Sequence, residues 1–336
     1  MTTIAPDADW RVDAGDLIAQ RALASRLSQQ PRHRTRSVLT GQHRSRLRGR
    51  GMDYRESRHY QAGDDIRNMD WRITARAGHA HVKVFDEERE RPVMVVADFG
   101  PSMFFASRGA FKSVMAARLA ALIGWAAVQH GDRIGAFLVP TLQRGNPPQH
   151  GGPIELQPSG GRRGQMRLIR ALVATGDPEP GLAASADAGN LNLALARLRQ
   201  VIRPGTLVWL LSDFAGADDE TERHLSQLAR HNSLLAIEIL DALELAPPPP
   251  GRYRISDGRR GGLLDTLSGR RRADYQQALE AHRAQARAHI ERRGIPCERC
   301  LTQDDPALVL GRALSLAARR PPVRQPRGLT QSGAMP

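Results

Sequence analysis

Apolar residues follow two kinds of pattern along the chain, and their order predicts an α/β fold. Val93 to Ala97 and Leu207 to Leu211 are continuously apolar over the length of a strand, as strands covered on both faces should be. Around them, helical spacing alternates with further strand-like runs. The pattern predicts helix about 111–129, strand 133–139, helices about 165–174 and 191–201, and strand 206–212. It continues with helix 219–230, strand 233–240, helix 271–292, strand 295–302 and helix 306–318. Alternation of this kind needs crossover connections, which set strands parallel and lay helices on both faces of a doubly wound sheet. The two continuously apolar runs should be its central strands.

The flanking segments read differently. Residues 1–30 space Leu17, Ile18, Leu23 and Leu27 as an arm or helix, and 31–90 form a second, more polar segment. Within it, 64–76 reads as one helix started by Asp64 and Asp65, and His81 to Phe85 alternates like a strand. The α/β domain then covers 91–318. Gly/Pro-rich stretches at 144–164 and 176–190 read as loops. Residues 252–264 read as a hairpin inserted after the Pro247–Pro250 spacer, turning at Asp257-Gly258. The tail, 319–336, has the composition of a disordered segment.

Composition narrows the setting. A chain of 336 residues with 40% hydrophobic content can bury a sizeable core. The apolar run Leu119 to Val128 is far short of the ~20 residues a membrane span needs. Residues 1–30 carry Asp7, Asp9, Asp13 and Asp16 with no basic start before an apolar stretch, so no secretory signal is expected and the address is the cytoplasm. Cys297 and Cys300 are the only cysteines, which excludes a disulfide framework. On a strand they face opposite sides and share no metal.

The net charge of +14 comes almost wholly from arginine, since Lys83 and Lys112 are the only lysines. Seven arginines and no acid lie between Arg32 and Arg50. Such an arm suits phosphates or an acidic protein surface, although it lacks aromatic side chains for stacking on bases.

Candidate chemistry lies at the strand ends. Asp98-Phe99-Gly100-Pro101-Ser102 follows the first central strand, and Asp213 follows the second. In an open parallel sheet, ligands sit outside the carboxyl ends of the strands. Asp98, Ser102 and Asp213 could there offer oxygen ligands to magnesium. The arrangement resembles the von Willebrand factor A fold, whose metal-ion-dependent adhesion site uses an Asp-x-Ser-x-Ser turn, a later threonine and a further aspartate. Asp98, Ser102 and Asp213 match that site; Gly100 replaces the first serine, and no threonine stands at Gly189, Asn190 or Asn192. The site is therefore degenerate. It is read either as a magnesium site completed by waters or an asparagine oxygen, or as a turn kept for its backbone shape. Asp98-Phe99-Gly100 also spells the magnesium triplet of protein kinases, but the glycine-rich phosphate loop and catalytic loop are missing, as is a P-loop. No nucleophile elbow or His-Glu-x-x-His helix occurs, so the chain reads as a binding protein and not an enzyme.

The most distinctive run is Arg58-x-Tyr60-x-x-Gly63-Asp64-Asp65-x-Arg67-x-x-Asp70-Trp71, ending in Ala75-Arg76. It resembles the bacterial proteins of domain of unknown function 58, and the likeness extends over about residues 35–315. The resemblance implies a von Willebrand factor A-like domain that works beside a MoxR-type AAA+ ATPase as an adaptor or client-binding partner in chaperone-like maturation of other proteins. Read physically, the run sets Arg67 three residues from both Asp64 and Asp70, and Arg72 four from Arg76, so charges of both signs share neighbouring helix faces and Arg67 can pair with either acid. It predicts either an ion-pair lattice anchored by Trp71 or a docking surface, because Trp, Tyr and Arg are enriched at the energetic centres of interfaces. A nucleic-acid-binding protein using Arg32 to Arg50, and a metal-dependent hydrolase using Asp98 and Asp213, are the other two readings.

Overall fold

The computed structural model describes residues 9–29, 52–61, 64–87, 91–141, 152–179, 190–256 and 261–319. In chain order the elements are α1 (Ala14–Gln29), β1 (Met52–His59), α2 (Trp71–Ala77), β2 (His81–Glu87), β3 (Pro92–Phe99), α3 (Lys112–Gln129), β4 (Arg133–Pro140), β5 (Ile154–Gly160) and α4 (Gly161–Thr175). There follow α5 (Asn190–Val201), β6 (Leu207–Ser212), α6 (Asp219–Ala229), β7 (Ser233–Leu240), β8 (Arg252–Ser256), β9 (Gly261–Asp265), α7 (Gly269–Glu291), β10 (Cys297–Leu301) and α8 (Pro306–Arg319). The Arg32–Arg50 arm, Gly63, Gly189, the Asp257-Gly258 turn and the tail beyond Arg319 lie outside the described residues.

The fold is α/β and doubly wound, as the alternation of patterns predicts. Six strands run in the order β10-β7-β6-β3-β4-β5, all parallel except β5. The continuously apolar strands β3 and β6 are neighbours at the centre. Their side chains alternate between two cores. Val93, Val95, Ala97, Leu207, Trp209 and Leu211 join the core beneath α1, α3, α4 and α8, while Met94, Val96, Val208 and Leu210 join the core beneath α5, α6 and α7. Cys300 belongs to the first core and Cys297 to the second, so the two thiols face opposite sides of β10. Both are free. Burial raises both, Cys297 to about 12, which leaves them as protonated core residues.

Part of one stretch read as a loop is a strand. Residues 154–160, inside the segment read as a loop, form β5, antiparallel to β4 at the sheet edge, and α4 starts directly after it at Gly161. Pro158 hides this strand from a pattern search, yet an edge strand can lack an N–H without breaking the sheet. Gly135 lets the two strands approach: a Cβ there would lie 2.6 Å from the Leu156 carbonyl oxygen. Met52 to His59, rich in charge and without an apolar period, is also a strand, paired antiparallel with β2.

Helix α1 belongs to the body. Its Leu17 is 1% exposed in the first core. The Trp125 Nε1–H of α3 donates to the Leu17 carbonyl at 3.0 Å, and Arg118 of α3 donates to Asp9 and Asp16. Among the described residues no helix is long and apolar enough to cross a membrane. Truncating Leu17 to alanine should lower unfolding free energy by about 2–5 kcal/mol, read by urea denaturation; an unchanged midpoint would show that α1 contributes nothing to the core.

Candidate functional site

Three neighbouring parallel strands reach one rim with an acid each. Asp98 is the last residue but one of β3, and Asp213 and Asp241 directly follow β6 and β7. All three are buried. The pair β3–β6 is in register with Ala97 beside Leu211, which brings Asp98 next to Ser212 and Asp213.

Local turns aim these side chains. The Gly100 N–H donates to Asp98 Oδ1 at 2.8 Å, and the Ser212 hydroxyl donates to Asp98 Oδ2 at 2.6 Å. A Cβ on Gly100 would sit 3.1 Å from that Oδ1, so the glycine gives the tight turn its room. After β6 the chain bends sharply at Phe214, a buried aromatic residue held at φ 54°, in the left-handed region that bulky residues avoid. The bend lets the Phe214 N–H reach Ser212 Oγ at 3.0 Å and the Ala215 N–H reach Asp213 Oδ1 at 3.1 Å. Ser102, exposed in the 3-10 turn Pro101–Met103, lies near enough to Asp213 to help lower its carboxyl. The crevice thus brings Asp98, Ser102 and Asp213 together.

Lys112 completes it. Its Nζ donates to Asp213 Oδ2 at 2.8 Å and to Glu244 Oε1 at 2.7 Å, and the side chain is 1% exposed. Glu244 comes from the 3-10 turn after β7, and its other oxygen accepts from the Asp241 N–H at 2.7 Å. Asp241 itself gathers the Ser107 N–H and hydroxyl and the Thr302 hydroxyl. Lys112 is the first residue of α3, where the helix dipole disfavours a cation, so the carboxylates must account for its place.

The electrostatics follow from one ammonium among several acids. Burial alone would pull the Lys112 ammonium down, but the charges of Asp213 and Glu244 outweigh it and hold it above its ordinary value. Asp213 is raised by burial and lowered more by Lys112 and its hydrogen bonds, so it lies below the ordinary carboxylate range. Asp98 is left without a direct cationic partner; burial first, and the Asp213 charge second, raise it to about 6.

These residues do not fit a magnesium ion. Magnesium demands near-octahedral oxygen coordination at 2.0–2.1 Å, and the space between Asp213 and Glu244 holds an ammonium. Of the two asparagines that could offer a replacement oxygen, Asn192 is engaged elsewhere, its Oδ1 accepting from the Thr221 hydroxyl at 2.6 Å. The sequence reading missed Lys112, Glu244 and Ser212. A signal for Lys112 did exist, since it is one of two lysines among 49 basic residues and opens a mostly apolar helix.

The signature run forms a separate small unit of β1, α2 and β2. The predicted single helix over 64–76 is instead a 3-10 turn, Ile66–Asn68, followed by α2, because Asp70 caps α2 by accepting from the Ile73 N–H. The other Asp70 oxygen accepts from Ser57 Oγ at 2.8 Å, which ties β1 to α2. The predicted pairing of Arg67 with Asp64 and Asp70 is replaced by an Arg58–Asp64 bond at 2.7 Å, while Asp65 accepts from the Arg67 backbone N–H. Tyr60 is half-buried, its N–H donating to the Ala80 carbonyl. Arg67 and Arg76 are exposed. Trp71 is 67% exposed, which contradicts its reading as an anchor. Elsewhere, Asp219, Glu222 and His289 approach one another, but Glu222 is already paired with Arg292 and Arg293.

Comparison with known proteins agrees with the signature. Residues 56–285 match the family described as protein of unknown function DUF58. The uncharacterized protein Rv1480 of Mycobacterium tuberculosis is 30% identical over 261 residues, 77% of each chain. Among solved structures, the conserved hypothetical protein BatB from Bacteroides thetaiotaomicron has a TM-score of 0.39 at 12% identity, covering 68% of this chain and 100% of that one. A von Willebrand factor type A protein from Catenulispora acidiphila has a TM-score of 0.33 at 12% identity, covering 71% of this chain and 44% of that one.

The Asp98 carboxyl gives the site a pH signature. Its folded value of about 6 lies above the ordinary 3.8, so folding takes up a proton between these limits. The stability it contributes is full below the lower limit and is lost as pH rises through the upper one, by roughly 3 kcal/mol in all. Asp98→Asn should remove that decline, so that the variant gains on the wild type from pH 4 to pH 7 in urea titrations. Parallel profiles for the two proteins would refute the assignment.

Proposed function

The chain belongs to the DUF58 family of proteins of unknown function, and on that premise we propose that it is a non-enzymatic, cytoplasmic adaptor that binds a client protein and works with a MoxR-type AAA+ ATPase. The observation that carries this reading is the exposure of the signature unit. Trp71 and Ile66 are 67% and 61% exposed, and Arg67, Arg72 and Arg76 lie exposed in the same short run. A folded unit that spends Asp70, Ser57 and Asp64 on its own hydrogen bonds, yet leaves tryptophan and arginine in water, has the composition of an interface centre. The anchoring alternative would have required Trp71 to be buried.

The rim crevice supports the non-enzymatic part. Its acids are held by Gly100, Ser212, Ala215 and Lys112 in an arrangement that sets a fixed shape, and the Ser212 hydroxyl that donates to Asp98 is itself buried. The energy for remodelling a client would come from the separate ATPase, whose presence the family resemblance implies.

The test is binding of the purified chain to the AAA+ ATPase encoded in its gene neighbourhood, with ATP and magnesium present. Trp71→Ala should weaken association by about 30-fold or more, the loss of an interface hot spot of ~2 kcal/mol, with an unchanged circular dichroism spectrum. Absence of association under every nucleotide condition would defeat the adaptor reading.

A further inference from the structure

We propose that Lys112 is a built-in replacement for a divalent cation, which makes the rim crevice a metal-independent site with its positive charge supplied by the chain itself. The inference concerns the crevice and stands whether or not the adaptor reading does. Its first support is position. A divalent cation in this crevice would draw on the acids at the ends of β6 and β3, and the ammonium already lies 2.8 Å from Asp213 Oδ2 and 2.7 Å from Glu244 Oε1. Asp98, on the neighbouring strand and bonded to Ser212 next to Asp213, feels the Asp213 and Lys112 charges.

Chemistry gives the second support. An ammonium is a compact point charge with its donors spread in three directions, the side-chain group most like a small cation, whereas a guanidinium is a flat fork. Arginine supplies 47 of the 49 basic residues, 49 minus the two lysines Lys83 and Lys112. A lysine nevertheless stands at this buried place, at a helix start where its charge opposes the dipole. The third support is a matched loss. Gly100 stands where a hydroxyl ligand would be needed, and Asn192, one of the two candidate asparagine donors, is bonded to Asp218 and Thr221. A crevice that holds its own cation has no use for these ligands.

Having two lysines makes the test site-specific. The folded full-length chain is acetylated with an amine reagent in magnesium chloride, manganese chloride or EDTA, and each lysine is read by mass spectrometry. Lys83, half-buried on β2, should be labelled, and Lys112 should stay protected in all three. Calorimetric titration with either cation should show no saturable binding. Lys112 becoming reactive on addition of cation, or saturable binding abolished by Asp98→Asn, would overturn the proposal. Lys112→Ala supplies the converse: with Asp98, Ser102, Asp213 and Glu244 left as oxygen donors, the variant should acquire a manganese-dependent rise in melting temperature that the wild type lacks. A folded Lys112→Ala that ignores manganese would also overturn it. If that variant does not fold, the labelling and titration of the wild-type chain decide.

Discussion

The Lys112 ammonium, buried between Asp213 and Glu244, is the constraint on which the rest of the molecule is arranged. A charge so far from water survives only if its partners are close and well oriented. That requirement fixes the end of β6, the turn after β7 and the first turn of α3 against one another. Helix α3 in turn is almost wholly buried and holds α1 through Arg118 and Trp125. One ion cluster thus couples the centre of the sheet to its main covering helix. Removing Lys112 would leave Asp213 without a cation, and removing Asp213 would leave Lys112 with Glu244 alone, so the contributions of Lys112 and Asp213 to stability should be strongly non-additive.

The same cluster explains why its acids differ. Asp213 and Glu244 share the ammonium, Glu244 is partly open to solvent, and Asp98 has only neutral donors, the Gly100 N–H and the Ser212 hydroxyl. Burial first, and the Asp213 charge second, therefore raise the Asp98 carboxyl. The strained Phe214 backbone fits this picture: it holds Ser212 and Asp213 where one can donate to Asp98 and the other can face Lys112.

The mainly parallel sheet with β3 and β6 at its centre was legible because Val93 to Ala97 and Leu207 to Leu211 are continuously apolar, as burial on both faces requires, and because helical spacing separates most strands from the next. What was hidden obeys other physics. Strand β5 carries Pro158 at an edge where a missing donor does no harm, and β1 is stabilised by pairing with β2 and shows no apolar period. Asp70 drew attention as an ion-pair partner, yet it serves as a helix cap, a choice that depends on Ser57 arriving from a strand the pattern does not reveal. Two of the site's acids were legible from their place at strand ends. The cation was not, since Lys112 lies in a helix far from Asp213 in sequence and only the crossover brings them together.

The signature unit and the crevice give the molecule two distinct surfaces, one presenting Trp71 among arginines and the other closed around its own ion pair. What occupies the crevice decides whether its positive charge belongs to the chain or to a metal. Crystals grown in manganese chloride and measured at the manganese absorption edge should show the Lys112 ammonium between Asp213 and Glu244, with no anomalous peak in the crevice. An anomalous peak bound by Asp98 and Asp213, with the Lys112 side chain turned away, would contradict it.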